Sequence, residues 1–256
     1  MKILVLEPLS EAQLARVRAA AGLAGVVPVP AGEGSAAALA QADVVIGAVG
    51  RDAFPTARRL RWIHVPLTFV DGYLFPALIA SDVALTSTKD CVGTHLAEQA
   101  FGLLLALTRS IAAAAREPRW DVRLTLRANA RELAGQTMGV VGLSGSAVGP
   151  AVARRAAAFG IRVVAVDPEP AVAAEANRDV VERVAPLERV HDVLGEADVV
   201  AVCAPLIPAT RGLLDRAALR RMRRDAVLIN VSRSAIVDEG ALILDSPQKN
   251  LSLIHI

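Results

Sequence analysis

Short β-branched and apolar runs alternate along the chain with alanine-rich stretches of helical spacing, the pattern of parallel α/β units. Residues 2–6 read as a first strand. Ser10 then caps a helix, and Gln13 three residues on completes a capping box. Weaker strands are expected at 26–29, 44–46, 62–65 and 83–85, each trailed by a turn or short helix, and this block ends near residue 93. From 95 to 116 runs a nearly uncharged helix, apolar around most of its circumference and therefore expected to lie between layers or between domains. A more polar connector fills 117–135. A second block opens with the apolar run 138–143, a strand buried on both faces. A glycine-rich turn, a helix to Phe159 and a strand at 162–166 complete one βαβ unit, and strands at 199–203 and 226–231 extend the sheet. The expected architecture is α/β, with two doubly wound parallel-sheet domains joined by the long helix.

Composition changes this picture little but excludes several functions. The chain has 256 residues, 54% hydrophobic and 21% charged, enough for large cores and unlike a disordered segment. Aromatics are only 3% and the formal net charge is +2 with interspersed signs, which offers neither a stacking surface nor a basic patch for nucleic acid. Cys91 and Cys203 stand far apart without a C-x-x-C partner, the usage of a reducing compartment and not of a zinc site. No metal site is expected. The opening Met-Lys-Ile-Leu-Val-Leu-Glu meets a carboxylate too soon for a secretory signal, and no uncharged apolar run reaches about 18 residues. A cytoplasmic protein without membrane contact is the expectation.

The strongest chemical signal is the turn Gly142-Leu143-Ser144-Gly145-Ser146-Ala147-Val148-Gly149, placed between a buried strand and an amphipathic helix. Glycines let backbone approach a pyrophosphate, and a helix amino terminus supplies unpaired N–H donors and a positive dipole end. Asp167 ends the next strand, close to the interval of about 20 residues expected for a ribose-binding carboxylate. A carboxylate there accepts ribose hydroxyls and repels a 2′-phosphate, favouring NAD over NADP. Two other readings stay open at this point: a tight strand–helix turn without a ligand, and an Asp167 that is solvated or caps a helix. The glycine spacing is G-x-x-G-x-x-x-G instead of G-x-G-x-x-G, so the loop is longer than the usual one.

Three further segments carry a resemblance to a family. Residues 204–214, Ala-Pro-Leu-Ile-Pro-Ala-Thr-Arg-Gly-Leu-Leu, are similar to the P-L-T-P-x-T-x-G-L/M segment of the D-isomer-specific 2-hydroxyacid dehydrogenases. Residues 228–239, Leu-Ile-Asn-Val-Ser-Arg-Ser-Ala-Ile-Val-Asp-Glu, resemble that family's L-I-N-x-[AS]-R-G-x-x-V-D-E signature. Leu60-Arg61-Trp62-Ile63-His64-Val65 with Val70-Asp71, and Leu96-Ala97-Glu98 opening the long helix, fit its substrate-side half. The resemblance implies a flavodoxin-like substrate domain over 1–94 and a Rossmann NAD-binding domain, truncated, over 95–245. It implies hydride transfer between C4 of a nicotinamide and C2 of a 2-oxo or 2-hydroxy acid, with NAD as cofactor and a homodimer as the full-length assembly. Arg233 falls on the catalytic arginine, a planar fork suited to a substrate carboxylate and carbonyl; the plainer alternative pairs it with Asp238 or Glu239. Ala204, Pro205, Thr210 and Val231 fall beside the cofactor, whereas Ser232 and Asn230 read as loop-shaping residues. Thr68 and Phe69, and Asp90, Cys91 and Val92, fall in the substrate loops.

The departures are specific. Phe69 and Asp90 stand where the family has glycines, a bulky ring and an added carboxylate near an anionic substrate, and Ser234 replaces the glycine of the arginine signature. Cys91 reads as a packed loop cysteine before a reactive thiol. A non-catalytic NAD(H)-binding or regulatory module of the same fold is therefore the alternative reading. The family's acid–base histidine and its glutamate lie beyond the V-D-E signature, and too few residues follow Glu239 to supply them. His64, His95 and His191 read as satisfied or solvent-facing, and His255 lies in a final stretch that breaks the chain's composition. The chain is thus expected to be an inactive fragment with an uncovered apolar sheet edge, a solubility hazard.

Residues 246–256 are expected to be a non-native tail. Leu-Ser-Leu-Ile-His-Ile at 251–256 is what CTG-TCT-CTT-ATA-CAC-ATC encodes, a sequence similar to a transposon end used in preparing sequencing libraries. Sequencing an independent genomic clone past the codon for Leu242 is expected to reveal D-V-x-x-x-E-P and P-H segments; a stop codon directly after Ile256 would refute this.

Overall fold

The computed structural model describes residues 1–29, 35–68, 70–249 and 252–255. They fold as two units, Met1–Lys89 and Asp90–Ile256, divided shortly before the boundary read from the sequence.

The first unit carries strands β1 (Lys2–Val5), β2 (Gly25–Pro28), β3 (Val44–Ile46), β4 (Trp62–Val65) and β5 (Ala84–Ser87), with helices α1 (Glu11–Ala21), α2 (Ser35–Leu39) and α3 (Pro76–Ile79). All strand pairs are parallel and the order is β2-β1-β3-β4-β5, the flavodoxin-like arrangement. The expected capping box is present: Gln13 N–H donates to the Ser10 hydroxyl and the Ser10 N–H donates to the Gln13 side chain. Leu4, Val45, Ile63 and Val65 form the core with Phe75, whose ring meets Phe54 edge to face at 5.3 Å.

The second unit opens with three helices, α4 (Gly93–Thr108), α5 (Ile111–Arg116) and α6 (Arg123–Asn129). Strand and helix then alternate through β6 (Thr137–Val141), α7 (Val148–Ala158), β7 (Arg162–Val166), α8 (Pro170–Ala176), β8 (Arg183–Ala185), α9 (Val190–Glu196) and β9 (Val199–Val202). The unit ends with α10 (Arg216–Arg221), β10 (Val227–Asn230), α11 (Glu239–Lys249) and β11 (Ser252–His255). Its six strands are all parallel in the order β11-β10-β9-β6-β7-β8. Counted from β6 this is the doubly wound dinucleotide-binding order, with its reversal point between β6 and β9.

Every residue of β6, β9 and β10 is buried, which is why these strands read as unbroken apolar runs: helices cover both faces. Alternate side chains serve opposite layers. Met138 and Val140 pack under α4 and α7, while Val141, Val200, Val202 and Leu228 pack with residues of α9 and α10.

The structure departs from the sequence expectation at the long helix and adds elements that it lacked. The long helix is two helices: Ser110 adopts φ +57° and donates from its hydroxyl to the Leu126 carbonyl at 3.0 Å, turning the chain between α4 and α5. α4 buries one stripe, Ala97, Ala100, Phe101, Leu104 and Thr108, against its own sheet, so it is a layer of the second unit. The short β8 carried too weak an apolar run to be read. In the segment after Glu239, expected to hold a non-native tail, the chain forms α11 and pairs β11 with β10, so β11 and not β10 is the last strand on that side.

Leu104 is fully enclosed in this layer. Leu104→Ala is expected to destabilise the second unit by about 2–5 kcal/mol in urea unfolding; a loss below about 0.5 kcal/mol would show that α4 is not part of its core.

Candidate functional site

Open α/β sheets bind ligands beyond the carboxyl ends of their strands, at the reversal point of strand order. In the second unit that point brings together the segments following β6, β7 and β9. Gly142, directly after β6, adopts φ +93°, and a Cβ there would lie 2.5 Å from the Ala204 Cα of the segment after β9. Gly149, in the first turn of α7, passes so close that a Cβ would stand 2.1 Å from the Gly142 carbonyl oxygen. Only hydrogen fits at either place. A Cβ on Gly145 would meet the Pro205 ring at 2.8 Å, so the inserted part of the loop lies against the β9 segment. Gly93, unremarked in the sequence, belongs to the same set: a Cβ on it would lie 2.6 Å from the Ala147 carbonyl oxygen, so it sets how closely α4 approaches the start of α7.

Asp167 closes this arrangement. Its carboxylate is fully enclosed and accepts four hydrogen bonds. The N–H groups of Leu143 and Ser144 donate to Oδ2 at 2.7 and 2.8 Å, while the Ser144 hydroxyl and the Glu169 N–H, the latter at 2.9 Å, donate to Oδ1. Four is the full accepting capacity of a carboxylate. Burial by itself pushes this carboxyl upward, but the Ser144 hydroxyl and the Ser144, Glu169 and Leu143 N–H groups outweigh it and hold the pKa below the ordinary value. The resulting stabilisation is complete above the ordinary carboxylate range and is lost as the pH falls through the lowered value. The sequence reading aimed Asp167 at a ribose; here it faces the glycine loop.

The amino end of α7 has no side-chain cap. The Val148 N–H donates to the Ser146 hydroxyl at 3.3 Å. The N–H groups of Gly145, Ser146 and Ala147 donate to no protein group among the described residues. Uncapped donors at a helix amino terminus, beside a glycine crossing, suit a pyrophosphate. An adjoining cavity of about 260 Å³ is lined by Gly142, Gly145, Asp167, Glu169, Pro205 and Ile207, among others. The residues present therefore fit a dinucleotide.

The segment after β9 is shaped by Thr210, whose buried hydroxyl donates to the Pro205 carbonyl at 2.7 Å and accepts from the Ile207 N–H at 2.9 Å. Buried Ala204 accepts from the Ser232 hydroxyl through its carbonyl. That bond joins the β9 segment to the one after β10, where Val231 is also buried. There the Asn230 side chain accepts from the Ser232 N–H at 2.9 Å and donates to the Arg233 carbonyl at 3.0 Å, the loop-shaping role read from the sequence. Arg233 follows, half-buried in extended backbone at the start of a short 3-10 turn. The Asp238 carboxylate accepts the Ala241 N–H at 2.9 Å at the start of α11.

Of the substrate-loop residues, Thr68 is half-buried in the first unit, and Phe69 lies outside the described residues. Asp90, Cys91 and Val92 form a 3-10 turn just before α4 in the second unit; Asp90 and Cys91 are exposed, so Cys91 is not the packed cysteine expected. His64 Nδ1 lies 2.9 Å from the Thr86 hydroxyl, to which Trp62 also donates, a satisfied imidazole as read. His95 is exposed on α4 and His191 half-buried on α9.

Residues 101–253 match the model of the D-isomer specific 2-hydroxyacid dehydrogenase, NAD binding domain. The chain belongs to this family. It is 30% identical over 256 residues to D-3-phosphoglycerate dehydrogenase of Methanocaldococcus jannaschii, covering 94% of this chain and 46% of that protein. It is also 30% identical over 200 residues to glyoxylate reductase of Korarchaeum cryptofilum, covering 76% of this chain and 58% of that protein. The chain thus spans about half the length of these relatives. Among solved structures, a glyoxylate reductase from Paecilomyes thermophila matches with TM-score 0.81 and 21% identity, over 100% of this chain and 81% of that one, a likeness of fold. The glycine crossing and the uncapped α7 terminus are accordingly part of the family's NAD-binding domain. No helix among the described residues is long and apolar enough to cross a membrane.

Cys203 ends the buried β9 run, and burial pushes its thiol up to about 12. A thiol reagent at pH 8 is expected to modify Cys91 in the folded protein and Cys203 only after denaturation; rapid modification of both would contradict the packing beneath the β9 segment.

Proposed function

We propose that the whole protein is an NAD-dependent oxidoreductase acting on a 2-hydroxy or 2-oxo acid. The observation that carries this reading is Arg233. It stands in the family's arginine signature, half-buried, on a segment that Asn230 and Ser232 tie to the β9 segment beside the glycine loop. Bound there, the nicotinamide supplies or accepts the hydride at C4. Arg233 holds the substrate carboxylate through paired N–H donors and polarises the carbonyl at C2, so that negative charge developing on oxygen meets a fixed cation. Gly142, Gly149 and the N–H groups of 145–147 hold the pyrophosphate, and the closed turn made by Thr210 fixes Ala204 and Pro205 at the cofactor's side. Thr68, Phe69, Asp90, Cys91 and Val92 supply the substrate loops.

None of His64, His95 and His191 is placed as the acid–base group in this reading, so residues 1–256 on their own bind the cofactor without turnover. The assembly is a homodimer in a reducing, cytoplasmic compartment, in keeping with two unpaired cysteines and with apolar Leu103 only half-buried on α4.

A second reading, a dinucleotide-binding module without catalysis, is favoured by the exposed Asp90 carboxylate where the family has glycine. The two separate on one measurement. The full-length gene product is expected to oxidise NADH with glyoxylate, hydroxypyruvate or a longer 2-oxo acid, and Arg233→Ala to lower kcat/KM by about 100-fold or more. NADH binding without turnover of any 2-oxo acid would favour the module.

A further inference from the structure

The usual loop leaves the carboxylate at the end of the second strand of the unit free for a ribose. Here the loop is longer, and the carboxylate at that position is consumed. Both oxygens of Asp167 accept from the loop and from the Glu169 N–H, and no part of the residue is exposed. A ribose hydroxyl would have to displace one of these donors and leave it buried and unpaired, a loss that one new hydrogen bond only replaces.

Glu169 is placed differently. It lies two residues further on, at the N-cap position of α8, and lines the same cavity of about 260 Å³. Its side chain makes no capping bond to that helix, and among the described residues its carboxylate has no hydrogen-bond or ion-pair partner. The residue is exposed, so the carboxylate keeps its water until a ligand arrives. Among the described residues no lysine or arginine lines the cavity, so none of them would neutralise a 2′-phosphate there.

We propose that Asp167 is the internal latch of the lengthened glycine loop, and that Glu169 is the carboxylate that receives the adenosine ribose hydroxyls and rejects a 2′-phosphate. The latch follows from the insertion: extra residues after Gly142 bring the Ser144 N–H and hydroxyl onto the carboxylate, and the ribose contact passes to the next acidic side chain on the rim. Asp167 is a positioning residue; Glu169 is a specificity residue. The inference rests on the reading of this unit as a dinucleotide site.

The test is fluorescence titration with NADH and with NADPH, beside thermal unfolding, for the wild type and for Glu169→Gln, Asp167→Asn and Ser144→Ala. Glu169→Gln is expected to weaken NADH about tenfold, narrow the preference over NADPH and leave Tm unchanged. Asp167→Asn is expected to lower Tm by several degrees and to weaken both nucleotides by a common factor, preserving their ratio. Ser144→Ala removes one donor to the latch without touching the carboxylate; it is expected to do the same to a lesser degree, and stands in for Asp167→Asn if that variant does not fold. Unchanged NADH binding in Glu169→Gln, with the nucleotide preference lost in Asp167→Asn at constant Tm, overturns the proposal alone. Failure of the wild type to bind either nucleotide overturns the dinucleotide reading and the Glu169 assignment with it. A lowered Tm in Asp167→Asn would even then support the latch.

Discussion

The carboxylate of Asp167 and the glycine crossing beneath it are mutually dependent. Gly142 and Gly149 let two backbone segments pass at a separation that leaves room only for hydrogen, and such a crossing turns N–H groups inward at Leu143 and Ser144. Inward donors without acceptors would each carry the penalty of an unmade buried bond, about 1–3 kcal/mol. One fully enclosed carboxylate accepts both, together with the Ser144 hydroxyl and the Glu169 N–H, and so ties the segment after β6 to the one after β7. That tie fixes the segment that leads into α7.

The second tie runs on the other side of the reversal point. The Ser232 hydroxyl donates to the Ala204 carbonyl, and Asn230 holds Ser232 and the Arg233 carbonyl. These bonds hold the backbone at Arg233. Cofactor loop and arginine segment thus meet at the β9 segment, each through contacts that a strand interior alone would not provide.

The departures from the family pattern concentrate at the ends of strands and helices. The parallel sheet with α4, α7, α9 and α10 is built from small apolar residues at positions that are buried throughout, and such cores tolerate exchange of one aliphatic side chain for another of like volume. The longer loop, Asp90 in place of a glycine and Ser234 in the arginine signature all lie at segment ends, where a change alters chemistry without disturbing a strand.

What the sequence by itself determined is whatever depends on local spacing. The period of apolar residues marked most of the strands, the Ser10–Gln13 pair marked the start of α1, and the glycine turn marked the crossing between β6 and α7. The arginine signature located Arg233 by resemblance. Tertiary structure decided the matters that depend on who meets whom. Ser110 bends the long helix because its hydroxyl finds a carbonyl sixteen residues on. Gly93 sets how closely α4 approaches α7, because a Cβ there would meet the Ala147 carbonyl. An acidic residue at the end of β7 was legible as a functional carboxylate, but whether it faces ligand or loop was not. That depends on whether two extra loop residues bring N–H and hydroxyl donors onto it, a fact about closure in space that no one-dimensional interval contains.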